Sequence, residues 1–367
     1  MKPMRLPLIL SSLLFCLMAC DRGSAPATVV NEKVPLVLTP ASQEPGQRRQ
    51  ASLRVLRVNV VQAFREVQPG AFIMGSTHAN DMKIKDAPLH RVTLTKPFWL
   101  ATTECTQQLW LTVMNSDLKT KPKARPSQFA DVRPGHEIEA MNRPVEMVSW
   151  LDCQEFLGRL NELAAKSKLD YTFRLPTEAE WEYACQCPEG SMPSAAEWKL
   201  ISRNGTMPPR SRRYLGNDGR LYTASLGDLA RFGANSAPKE GGEVKSNRTW
   251  EVNDRFANPW GFKGMLGNVA EWCQDSCEAN PFKGIEADTY VDNIVDPLCE
   301  QGNARIFRGG AWDSMSHQCT PSWRDGMFPD YKNCNLGFRI VMVEKPKPVI
   351  PPVDPTGKPE APAPASH

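Results

Sequence analysis

From Phe64 to Glu344 the chain is so often interrupted by Gly, Pro, Asn and Trp that few regular apolar runs survive. Such punctuation predicts an α+β body with much irregular loop, its shape fixed by disulfides, ions or buried polar contacts rather than by long elements. Material for a core is present, since 41% of the residues are hydrophobic and 23% are charged. No internal repeat divides the body.

Three helices announce themselves by their starts. Thr106 can cap a helix that presents Leu109, Trp110, Val113 and Met114 on one face. Ser149 and Asp152 have the spacing of a capping box, ahead of Cys153, Phe156, Leu157, Leu160 and Ala164 at helical intervals. Thr177 and Glu180 repeat that spacing after Pro176, with Trp181, Ala184 and Cys185 expected to face inward. Leu53 to Val61 reads as an edge strand.

The organisation expected is a leader over 1–19, a flexible tether over 20–52, a folded domain over 53–344 and a Pro-rich tail over 345–367. The tether is rich in Ala, Ser, Pro, Thr, Glu and Gln without an apolar period. The last 22 residues hold eight prolines, which predicts a solvated, polyproline-like end. Within the domain, 188–231 carries Pro188, Pro193, Asn204-Gly205, Pro208-Pro209 and Asn217-Asp218-Gly219 and reads as a long surface loop.

Lys2 and Arg5 precede an apolar stretch from Leu6 to Ala19, too short to span a bilayer comfortably and flanked as a secretory signal is. Its end, Leu17-Met18-Ala19-Cys20, resembles the bacterial lipobox, which implies cleavage before Cys20 and acylation of its thiol. An ordinary signal peptide cut near Ala19 is the alternative. The lipoprotein reading makes the bilayer a partner through Cys20 and places the body in the cell envelope, facing the periplasm. Asp21 resembles an inner-membrane retention signal, and the outer membrane stays open. Lys plus Arg total 44 against 41 acidic residues, which is no basic footprint for nucleic acid.

Nine of the 11 cysteines lie beyond Cys20: 105, 153, 185, 187, 273, 277, 299, 319 and 334. In an exported protein most are expected in disulfides, with at least one left over because the number is odd. The Cys185/Cys187 and Cys273/Cys277 pairs lack a histidine doublet nearby and are read as disulfide partners rather than zinc ligands. His78, His90, His136 and His317 show no metal-binding spacing.

Six stretches, in order, resemble the formylglycine-generating enzyme family, also called the sulfatase-modifying factor domain. They are Gly70-Ala71-Phe72-Ile73-Met74-Gly75-Ser76; Arg143-Pro144-Val145 with Val148-Ser149-Trp150; Arg174-Leu175-Pro176-Thr177-Glu178-Ala179-Glu180-Trp181-Glu182-Tyr183-Ala184; Gly267-Asn268-Val269-Ala270-Glu271-Trp272; Arg308-Gly309-Gly310-Ala311-Trp312; and Gly337-Phe338-Arg339. The resemblance covers the body and neither end, and it implies a C-type-lectin-like fold with little regular secondary structure.

Catalytic members hold copper(I) between two cysteines shortly after the Arg-Gly-Gly segment and oxidise a substrate cysteine to formylglycine with dioxygen. The first of those positions falls on Ser314 and the second on Cys319. The serine of the oxygen pocket is Ala311 here, and a pocket tryptophan is Ala270. Copper is therefore not expected, because a hydroxyl is a poor ligand for this soft ion. Cys319 is read either as a lone redox thiol or as a disulfide partner, for example of Cys334. The family bridge from Cys185 is expected to be lost, its partner position being Ile340.

The resemblance also implies calcium near Glu271, with the carbonyls of Gly267 and Val269. A side-chain ligand of that site falls on Gly264, which has none, and a second site would involve Asn235. Glu271 bonding the backbone of its own turn is the competing expectation. The function expected is a binding or regulatory module for an envelope protein or peptide, with an oxidase as the alternative. His317, in the altered pocket, is the histidine worth testing.

Overall fold

The computed structural model describes residues 36–42, 49–55, 60–76, 88–116, 125–130, 137–188, 213–215, 221–237, 239–240, 243–244, 247–280 and 284–346. Cys20 and the leader, the first part of the tether, most of 188–231 and the tail from 347 lie outside them.

The first strands are β1 (Leu36–Ser42), β2 (Gln50–Val55), β3 (Val60–Val67), β4 (Gly70–Met74), β5 (His90–Leu94) and β6 (Phe98–Ala101). Then come α1 (Gln107–Met114), α2 (Glu137–Met141), α3 (Trp150–Lys166), β7 (Tyr171–Arg174) and α4 (Glu178–Gln186). Short elements follow: β8 (Arg213–Leu215), β9 (Leu221–Thr223), α5 (Leu226–Leu229), β10 (Lys239–Glu240) and β11 (Glu243–Val244). The last part contains β12 (Ala270–Asn280), β13 (Gly284–Glu286), β14 (Ile294–Val295), β15 (Ala304–Arg308), β16 (Arg324–Met327), β17 (Leu336–Gly337) and β18 (Val341–Glu344).

A six-stranded sheet runs β1-β2-β3-β6-β18-β7, so the last strand closes between two early ones. A second sheet runs β13-β12-β15-β16 with β17 alongside β12, and β14-β5-β4 forms a third. One core lies where α1 and α3 cover the first sheet, around Trp110, Phe156 and Phe338. The other gathers α4, β4, β5, β12 and β15 around Trp181, Phe262 and Ile306.

All three expected helix starts are present. Thr106 accepts the Leu109 N–H at 3.1 Å. Ser149 and Asp152 form a reciprocal box, as do Thr177 and Glu180. The inward faces of α1 and α3 match the expectation, but α4 is buried from Glu178 to Cys185. Three glutamates enter the interior with it because cationic partners wait there.

Four expectations are corrected. The tether does not extend to 52, since β1 and the start of β2 belong to the first sheet, with Leu36 buried and paired to Val55. Leu53 to Val61 is not one edge strand; it spans the end of β2 and the start of β3, both interior to the sheet, with β1 at the edge. The stretch 188–231 ends in the β8-β9 hairpin and α5 rather than in loop alone. Where most of the nine cysteines were expected in disulfides, Cys105, Cys153, Cys185, Cys273, Cys277, Cys299, Cys319 and Cys334 are free thiols, all but Cys334 buried and packing as small apolar groups.

Candidate functional site

The family-like stretches meet one another inside the protein, with α4 at the centre. Arg324 at the start of β16 grips Glu178 with two bonds, Nε to Oε1 at 2.6 Å and Nη2 to Oε2 at 2.9 Å. Arg308 at the end of β15 donates to Glu178 at 3.1 Å and also to Glu182. Glu182 further accepts the Gly75 N–H at 2.9 Å, which ties in the loop after β4. Tyr290 donates to Glu178 at 3.2 Å. Burial pushes the Glu182 carboxyl up and Arg308 opposes it. Burial lowers Arg308 and Arg324, but the facing glutamates outweigh it and both end above their ordinary value.

A second cluster adjoins the first through Trp181. Arg339 forms a fork on Glu271, with Nε to Oε2 and Nη2 to Oε1 both at 2.6 Å. Trp181 Nε1 donates to the same carboxylate at 2.7 Å. The remaining Arg339 donors reach the Ala101 and Lys263 carbonyls at 3.1 and 2.9 Å. Glu271 thus accepts from Trp181 and Arg339 rather than from the backbone of its own turn. Its acceptor face is turned to a guanidinium.

The loop after Arg308-Gly309-Gly310 holds the positions expected to differ from a copper oxidase. The Ala311 N–H donates to Ser314 Oγ at 2.9 Å, and the Ser314 N–H returns to the Ala311 carbonyl at 3.0 Å. The hydroxyl is therefore a turn-capping group. Cys319 is buried against Gly310, where φ is +70° and an added Cβ would lie 2.9 Å from its sulfur. Burial, with Asp313 adding to it, pushes this thiol up to about 12, so it is protonated at neutral pH. Cys334 is tied to the loop by Trp312 Nε1, which donates to its carbonyl at 3.0 Å. No Cys319–Cys334 bridge forms. Ala270 is buried at the start of β12, its N–H on the Asn335 carbonyl at 2.8 Å. Asn335 in turn holds the Asp313 carboxylate.

These residues assemble one thiol and one engaged hydroxyl, which is not the two-sulfur donor set that selects copper(I). The outward side of the loop is accessible: Met315 is 67% exposed and His317 is exposed. Beside it the half-buried Phe129 and Trp312 rings meet edge-on with centroids 5.3 Å apart. Below Phe129, Glu146 accepts the Gln128 and Phe129 N–H groups at 3.0 and 2.9 Å. Burial raises it to about 7.

For calcium, the expected set is incomplete at Gly264, and no group of three or more His, Cys, Asp or Glu side chains suits a metal among the described residues. Asn235 is engaged locally, accepting the Phe232 N–H and donating to the Ala230 carbonyl. Yet the space over Gly264 is filled by a carboxyl group from another part of the chain. Glu104, between β6 and α1, is fully buried, and a Cβ on Gly264 would lie 2.3 Å from its Oε2. Oε1 accepts Asn268 Nδ2 at 2.9 Å, whereas Oε2 has no partner. Burial pushes Glu104 up to about 8, with Arg339 opposing and Glu271 reinforcing. Hard oxygens from carboxyl groups and main-chain carbonyls are a calcium-type donor set. Sequence reasoning missed Glu104, because Thr102-Thr103-Glu104-Cys105 carries no mark of the turn it meets more than 150 residues later.

A family model described as the sulfatase-modifying factor enzyme 1-like domain matches residues 55–343. Over 210 residues the chain is 30% identical to the formylglycine-generating enzyme of Streptomyces coelicolor, covering 54% of this chain and 52% of that protein. It thus spans about half the length of that relative. Over 133 residues it is 32% identical to the serine/threonine-protein kinase pkn1 of Chlamydia pneumoniae, 33% of this chain and 20% of that one. Among solved structures, Treponema denticola variable protein 1 superposes with a TM-score of 0.52 at 23% identity, over 78% of this chain and 96% of that one. The shared fold is the α+β, C-type-lectin-like one with little regular secondary structure.

Proposed function

The chain belongs to the sulfatase-modifying factor enzyme 1-like domain family, and from that premise we propose that it is a binding module rather than a copper-dependent oxidase. One observation carries this reading: Ser314, at the first copper position, spends its hydroxyl on the Ala311 N–H, leaving Cys319 as the single thiol of the loop. One protonated sulfur does not make a copper(I) site. The partner is an envelope protein or peptide, received on the outward side of the loop around Met315, His317, Phe129 and Trp312. Those rings and the thioether supply apolar contact next to the Asp313 carboxylate, a combination suited to protein recognition.

The test offers the copper-loaded protein, in air, a peptide with the family's Cys-x-Pro-x-Arg substrate motif and looks for the aldehyde by mass spectrometry. No aldehyde is expected. Copper-dependent product over several turnovers overturns the reading and calls for a second ligand such as Cys334.

The same proposal places the module on the periplasmic face of a bacterial membrane, held by acylated Cys20, with Asp21 favouring the inner membrane and the outer membrane the alternative. The Leu17-Met18-Ala19-Cys20 sequence supports this. Labelled palmitate is expected to enter the protein in cells, and Cys20→Ala to abolish labelling and release the body. Membrane retention of Cys20→Ala at the wild-type level counts against a lipid anchor.

A further inference from the structure

The docking face proposed above has one wall that a single residue holds in place. Phe129 belongs to residues 125–130, a stretch without helix or strand. Gln107 Nε2 donates to the Phe129 carbonyl at 3.4 Å. Among the described residues, every other hydrogen bond of this stretch involves Glu146. Its Oε2 accepts the Gln128 N–H at 3.0 Å and its Oε1 the Phe129 N–H at 2.9 Å. Its main chain bonds the Ser127 hydroxyl, donating at 3.3 Å and accepting at 3.4 Å. The Phe129 ring then meets Trp312 edge-on. One carboxyl group thus sets where this wall of the face stands.

That carboxyl group is sealed from water. Ionised, it would be the stronger acceptor for two N–H groups, but burial disfavours the charge. Burial outweighs the two N–H bonds, Ser127 and the Arg143 guanidinium, and raises the group to about 7. The titratable and charged groups that face it do not remove this conflict. Arg143, just after α2, is already tied to Glu139 at 2.6 Å. Cys334, from the segment before β17, is a thiol that burial pushes up, with the charges of Glu146 and Asp313 adding to it.

On the reading that this face receives a partner, we propose that Glu146 is a proton-controlled latch, which holds residues 127–129 and the Phe129 ring in the face while protonated and releases them when it loses its proton. Opening the stretch returns the carboxylate to water, where its ordinary value is 4.5. Because the closed form holds the proton more tightly than the open one, closure is strongest below about pH 4.5. It weakens as pH rises to about 7 and is level above that.

Hydrogen exchange of the full chain tests this without any partner, so failure of the docking reading would leave its result unchanged. Peptides covering Gln128 and Phe129 are followed from pH 5 to 8 and corrected for the intrinsic exchange rate. Protection of those amides is expected to fall by up to about tenfold per pH unit and to level off above about pH 7. Amides of α3, packed in the first core, are expected to stay better protected at every pH. Glu146→Gln keeps the shape but has no proton to lose and one acceptor for two N–H groups. Its protection at Gln128 and Phe129 is expected to be lower than wild type at pH 5 and the same at every pH. In the wild type, the Phe129 amide resonance, seen by nitrogen-15 labelling of phenylalanine, is expected to shift with a midpoint near 7. The latch is overturned if wild-type protection at Gln128 and Phe129 is constant with pH, if those amides exchange together with α3, or if Glu146→Gln keeps the wild-type slope. Should Glu146→Gln not fold, the wild-type slope and the Phe129 titration decide the matter, and a Phe129 resonance constant from pH 5 to 8 overturns the proposal.

Discussion

The cluster around α4, whose Arg308 lies just before Ala311 in the chain, and the loop from Ala311 to Cys319 are built to different ends. In the α4 cluster, Arg308, Arg324, Glu178 and Glu182 answer one another, and all are sealed from water. In the loop, Ser314 bonds its own turn, Trp312 and Asp313 reach Cys334 and Asn335, Met315 and His317 are exposed, and Cys319 is buried and protonated. The difference teaches that the family-like stretches of this chain preserve architecture. A buried ion pair must be kept whole, because loss of one partner strands the other charge. A loop side chain with no such partner is free to change.

The largest expected effect breaks the first region. Arg308→Met leaves Glu178 short of a donor and Glu182 without its cation, and is expected to cost about 3–5 kcal/mol in urea unfolding. A cost no greater than that of a change in the loop would mean that the two regions do not differ in this way.

A smaller effect appears with pH. Burial raises Asp275 to about 7, from 3.8, and Glu146 to about 7, from 4.5. In the folded state these acids keep their protons where the unfolded chain has lost them. Their contribution is therefore complete below about pH 4, declines as pH rises towards 7, and is level above that. Each proton changes the folding equilibrium by up to about tenfold per pH unit within the window. Asp275→Asn loses one backbone acceptor at every pH. The stability gap to wild type is nevertheless expected to be widest near pH 4 and to narrow towards 7. Urea melts from pH 4 to 8 check this, and a constant gap argues against a buried, protonated Asp275.

The smallest effect is expected in the loop. Ser314→Ala removes one local bond and is expected to cost at most about 1 kcal/mol. Thiol labelling of the native protein sharpens the same point: Cys334, half-buried, should react ahead of the eight buried thiols, as mapped by peptide mass spectrometry. Early labelling of Cys319 would show a loop more open than the structure has it.

Much of the local architecture was legible in the sequence. The helix starts at Thr106, Ser149 and Thr177 were readable because a capping side chain and its backbone partner lie within three residues of each other. The hairpin of β2 and β3 was not, because a polar-flanked run of Leu and Val looks alike in one strand or across two. Nor was the state of the cysteines, which depends on whether two thiols meet.

What the sequence determined by itself was therefore the set of short-range features: the caps and the order of the family-like stretches. Tertiary structure decided who partners whom. Glu178 finds Arg324 across 146 residues, Glu271 finds Arg339 across 68, and Glu104 reaches Asn268 across 164. Such pairings are set when the sheets close and exclude water. Only then does a carboxylate acquire a guanidinium, a proton or an orphaned oxygen, because the cost of leaving it bare exists only after burial.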